Sequence, residues 1–94
     1  MSLLDEKRVE INAIDAQLVK LIEQRMHAVE GVIQYKMENN LPIFDAQREA
    51  ANILRTTEML EDEGLKEYFR DWYTYTMQVS KNYQQAILNK KEGK

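Results

Sequence analysis

Cysteine is missing from this chain of 94 residues, which removes disulfides, thiolate chemistry and cysteine-based metal sites together. Histidine occurs once and glycine three times. A histidine-centred nucleophilic triad, a metal hydrolase and a glycine-rich phosphate loop are therefore unsupported. No apolar run approaches the ~20 residues of a membrane span. The opening stretch Met1-Ser2-Leu3-Leu4-Asp5-Glu6-Lys7-Arg8 has no apolar segment like that of a signal peptide, so a cytoplasmic protein is expected. The formal net charge of -3 gives no electrostatic reason to expect nucleic acid as a partner.

What is present is helix-forming and amphipathic. Hydrophobic residues make up 44% and charged residues 31%, the balance of a folded helical domain rather than a disordered tail. The length suits one domain over residues 1–94. Good helix formers dominate. The only proline, Pro42, follows Asn39-Asn40-Leu41 and marks one break. Glu63-Gly64 marks a second, with Gly64 expected as a left-handed C-cap residue. Helices are predicted at about 4–38, 45–61 and 65–90, with Asp45 as an N-cap and the polar stretch from Asn89 to Lys94 frayed.

Helix 1 carries an apolar stripe of Ile11, Ile14, Leu18, Leu21, Ala28, Val32 and Tyr35, widened by Ile22 and Val29. Helix 3 carries Leu65, Phe69, Trp72, Thr76, Val79, Tyr83 and Ile87. Helix 2 has a thinner face of Ala50, Ala51, Ile53, Leu54 and Leu60. A first helix of about 34 residues is about 50 Å long. A compact monomer of this size has a radius of gyration of only about 12 Å. The two shorter helices cannot cover such a rod, so an all-α, three-helix homodimer with antiparallel first helices is expected.

Cations interrupt the stripe. Arg25 falls where an apolar residue belongs. Lys36 lies about 16 Å further along the axis and about 20° away around it, so the two share a face. Either each pairs with a nearby carboxylate or snorkels to water, or the seam holds an anionic ligand. Arg8 lies about 25 Å from Arg25 along helix 1, too far for both to hold one small molecule within a chain. In an antiparallel dimer it would approach the partner's site; taken alone it reads as a solvated first-turn residue. Asp45, Arg48 and Glu49 read most simply as an N-cap and surface charges. Ser80 and Gln84 border the stripe of helix 3, one turn apart on one face, and need only backbone or water as partners. His27 lies about 200° around the helix from Arg25 and should face solvent.

Taken in order, these residues resemble the all-helical chorismate mutase family. The opening Arg8-Val9-Glu10-Ile11-Asn12-Ala13-Ile14-Asp15 is similar to the family's first motif. Arg25, Lys36, Asp45-Ala46-Gln47-Arg48-Glu49, Ser80 and Gln84-Gln85-Ala86 follow at its spacing, over about residues 4–88. The resemblance implies an intertwined antiparallel homodimer whose two sites draw on both chains. It also implies a cofactor-free, metal-free rearrangement of the chorismate dianion to prephenate in aromatic amino-acid biosynthesis. Lys36 and Gln84 would act on the breaking ether bond. Arg25 and the partner's Arg8 would bind carboxylates, supported by Ser80 and Arg48. Asp45 and Glu49 would hold the ring hydroxyl.

Ile33 stands where many relatives have glycine, which bears on packing. Lys81 stands at a position often apolar in the family, where an added cation bears on substrate affinity. No dehydratase, dehydrogenase or synthase domain accompanies these residues, so feedback control is expected to need a separate partner. Two alternatives stand beside the mutase: an isochorismate pyruvate lyase on the same fold, and a helical dimerisation module without catalysis.

Overall fold

The computed structural model describes residues 1–93. Three α-helices and a short 3-10 turn make up the architecture, with no strand among the described residues: α1 Leu3–Glu38, α2 Ala46–Glu58, the turn Glu63–Leu65, and α3 Lys66–Lys91. No helix among the described residues is long and apolar enough to cross a membrane. Asn89 is helical rather than frayed. Lys94, the end of the expected frayed tail, lies outside the described residues.

Side chains and left-handed backbone set the boundaries. Ser2 caps α1 by accepting from the Asp5 N–H at 3.1 Å. Asn40 takes a left-handed φ of 54° just beyond Asn39. The Leu41 N–H then bonds back to the Lys36 carbonyl at 2.9 Å, closing the helix in a Schellman pattern before Pro42. The expected role of Gly64 as a left-handed cap is overturned, because among the described residues Gly93 is the only glycine with positive φ. Gly64 instead lies in the 3-10 turn, where its N–H donates to Asp62 Oδ1 at 2.9 Å. α2 stops at Glu58 rather than 61, since Met59 and Leu60 bond three residues back to Thr56 and Thr57 and tighten its end.

α3 is the central element, packing against α1 on one flank and α2 on the other. α2 runs antiparallel to it: Glu49 meets Lys81 near one end, and Thr57 neighbours Lys66 and Arg70 at the other. The inward faces differ from the predicted stripes. Val29 and Ile33 of α1 are buried, while Ile11, Ile14, Leu18, Leu21 and Val32 are exposed. α3 buries Met77, Ser80 and Gln84, whereas Trp72 and Val79 are open. Hydrophobic periodicity finds the apolar side of a helix but not the rotation at which its neighbour meets it. Here the intrachain contact takes in Val29 and half-buries Phe69, Thr76, Tyr83 and Ile87, but leaves most of the α1 stripe open.

The long rod is real. The radius of gyration is 16.9 Å and the extents are 54 × 27 × 17 Å. Residues 3–24 of α1 are all exposed.

Candidate active site

Where the second half of α1, the start of α2 and the second half of α3 converge, they enclose a cavity of about 200 Å³. Arg25, Lys36, Asp45, Arg48, Glu49, Ser80 and Gln84 all line it. Seven of the eight residues singled out from the sequence thus meet in one place. Arg8 does not; it sits on the bare half of α1, about 25 Å from Arg25 along the axis.

Lys36 and Gln84 face each other, with Lys36 Nζ donating to Gln84 Oε1 at 3.2 Å and to the Ile43 carbonyl at 2.7 Å. Gln84 Nε2 donates to the Ser80 carbonyl at 3.3 Å. An ammonium carries three N–H bonds and a primary amide two. After these contacts each group retains one donor. The two spare donors belong to bonded neighbours and can meet on a single acceptor. Gln84 is 6% exposed, so its amide is largely removed from bulk water.

Arg25 is held from two directions. Its Nη1 donates to Ser80 Oγ, whose own hydroxyl is bonded to the Thr76 carbonyl at 3.1 Å. Its guanidinium lies 5.8 Å from the centre of the Tyr73 ring, which stacks in turn on Phe69. These contacts occupy part of a five-donor fork and leave the remainder for an anionic guest.

On the opposite wall Asp45 Oδ1 caps α2 by accepting from the Arg48 N–H at 3.0 Å. Glu49, one turn further, receives Lys81 Nζ at 3.1 and 3.2 Å on its two oxygens. The expectation that Ser80 and Gln84 merely border an apolar stripe gives way here: both are buried at the centre of the α3 face.

Three further participants escaped the sequence reading. The Ile43 carbonyl, a backbone group, has no side-chain signal. Tyr73 and Asn52 did have one. Tyr73, Met77, Ser80 and Gln84 fall on one helical face, and Asn52 follows Glu49 by three residues.

The arrangement suits a compact guest with more than one negative charge and a hydrogen-bond acceptor at its centre. The family profile described as chorismate mutase type II matches residues 7–85. Two bifunctional chorismate mutase/prephenate dehydratases of Buchnera aphidicola, from the Acyrthosiphon pisum and Schizaphis graminum subspecies, are 33% and 31% identical over 84 residues. The alignments cover 88% of this chain and 22% of either relative, so the chain spans about a fifth of the proteins it matches. With the profile running through all three helices and across the residues that line the cavity, the chain belongs to the chorismate mutase type II family.

Proposed function

We propose that this chain, as one domain over residues 1–94, rearranges chorismate to prephenate without a cofactor and does so as a homodimer. The reading is supported by the Lys36–Gln84 pair, which lines, with one spare donor on each group, a cavity that Arg25 and Arg48 also line. The reaction breaks one C–O bond and forms one C–C bond within a single molecule. It needs no nucleophile and no proton relay.

Two tasks remain for the protein. The first is to hold the conformer in which the reacting carbons approach, a proximity effect. Arg25 would bind one carboxylate and Arg8 of the partner subunit the other. Ser80 keeps Arg25 in place, and Arg48 adds positive charge on the carboxylate side. Asp45 and Glu49 would receive the ring hydroxyl. The second task is to stabilise negative charge on the ether oxygen as its bond breaks. Lys36 and Gln84 would donate to that atom, with Lys36 also reaching a carboxylate. Fixed donors in a site screened from water are worth about 3–4 kcal/mol each.

The uncovered half of α1 supports the dimer. Ile11, Ile14, Leu18, Leu21 and Ile22 all face water in the single chain. A second copy related by a two-fold axis would cover that stripe and carry Arg8 toward the partner's cavity.

Loss of chorismate ultraviolet absorbance, with prephenate identified as product, tests the reading. Lys36→Ala should lower turnover by at least about 100-fold while circular dichroism and sedimentation stay unchanged. Pyruvate release from isochorismate in place of chorismate turnover would make the chain a lyase. Inertness toward both would leave a helical dimerisation module.

A further inference from the structure

We propose that Lys81 is a positioning residue: it serves as the built-in counterion of Glu49, letting a carboxylate act as hydroxyl acceptor inside a site for a dianion. The inference rests on the mutase reading above and concerns the wall of the cavity opposite Arg25.

Glu49 and Lys81 come from different helices and are 32 residues apart in sequence. Their side chains are each 23% exposed, so neither is an ordinary surface charge. Lys81 Nζ lies within 3.2 Å of both carboxylate oxygens of Glu49. The ammonium also rests 4.6 Å from the centre of the Phe44 ring, in the α1–α2 loop. A carboxylate below and an aromatic face beside it hold the ammonium in one position.

Electrostatics gives that position its meaning. The cavity is lined by four cations, Arg25, Lys36, Arg48 and Lys81, and by two carboxylates, Asp45 and Glu49. Within one chain the surplus is two positive charges, and the partner's Arg8 would make it three; loss of Lys81 lowers either by one and leaves Glu49 as an unbalanced charge beside a doubly charged guest. An ionised carboxylate is the stronger acceptor for a ring hydroxyl. In a partly desolvated site, however, it repels the guest's own carboxylates. Lys81 cancels that repulsion. It does so without consuming the acceptor, because a carboxylate offers about four lone-pair sites and one ammonium cannot fill them.

A purely apolar residue at position 81 would leave Glu49 uncompensated. Since the guest carries its charge in both ground and transition states, that loss should appear mainly as weaker binding.

Steady-state kinetics on the full chain test this with Lys81→Met, Lys81→Arg, Glu49→Gln and the double variant Lys81→Met/Glu49→Gln. Lys81→Met should raise KM about tenfold with kcat within about threefold, and Lys81→Arg should restore most of the loss. Adding Glu49→Gln to Lys81→Met removes the unbalanced carboxylate, so the double variant should have a clearly lower KM than Lys81→Met alone. A double variant with a KM as high as that of Lys81→Met, or higher, would mean that Glu49 is not the charge Lys81 balances, and the proposal would fall. It would fall equally if Lys81→Met left KM unchanged, or if Lys81→Arg behaved like Lys81→Met. The Lys81 ammonium signal in nitrogen-15 spectra of the ligand-free protein gives a second readout; it should be sharp and protected, and lost in Glu49→Gln. A wild-type chain inert toward chorismate would overturn the mutase reading, and this inference with it. A wild-type chain that turns chorismate over beside an indifferent Lys81→Met overturns the inference alone.

Discussion

Gln84 is buried against Lys36, with its carbonyl oxygen accepting from the ammonium and one amide hydrogen free. Replacing the amide by a carboxyl keeps the shape and makes donation conditional on a proton. Gln84→Glu should therefore be active only where that carboxyl is protonated, so its rate rises toward acid pH while the wild-type profile stays flatter. A pH–rate series on the two proteins checks this, and a flat variant profile would remove residue 84 from the ether oxygen. The sequence already marks Arg25 and Lys36 as cations on one helical face, at a spacing that needs no fold to read. It leaves open whether carboxylates or a guest would balance them. The reason is physical: the partners lie on other helices, and no spacing within α1 specifies which side chain of α3 arrives opposite.

α1 and α3 are also joined outside the cavity, where Tyr83 donates from its hydroxyl to Glu30 at 2.6 Å. That bond, with some desolvation and the carboxylate's charge, holds the Tyr83 phenol above its ordinary value of 10.0. A raised value in the folded state means that the stabilisation is complete below the ordinary phenol range. It is lost as pH climbs through the raised value. Tyr83 should ionise above the ordinary phenol range in a spectrophotometric titration of the folded protein, and Tyr83→Phe should abolish that late phase. Elements were the most legible part of the chain. Asn39-Asn40 and Pro42 end α1 where expected, because a left-handed residue followed by proline cannot continue a helix. The misreading of Gly64 came from treating glycine as a cap, when the neighbouring Asp62 side chain organises a 3-10 turn there.

α1 is uncovered over residues 3–24, and the proposed dimer would cover it and make the site itself shared. If Arg8 serves the partner's cavity, Arg8→Ala and Arg25→Ala should each be nearly inactive as homodimers. Refolding equal amounts together should restore about a quarter of wild-type activity, since half the dimers are mixed and one of their two sites is intact. No recovery, with mixed dimers demonstrated by mass spectrometry, would place both arginines in one chain's site; an active Arg8→Ala homodimer would exclude Arg8 from it. The length argument for the rod came from sequence alone. The packing inside the chain did not, because the same apolar stripe can serve an intrachain or an interchain contact.

Composition and spacing decide the helices, their breaks, the cations on one face of α1 and the excess length of that helix, because each depends on neighbours along one chain. Packing decides which face turns inward, that Ser80 and Gln84 are central rather than marginal, and that Lys81 meets Glu49 across two helices. Periodicity fixes angles within a helix. The rotation of one helix against another emerges only when all the side chains between them are fitted at once.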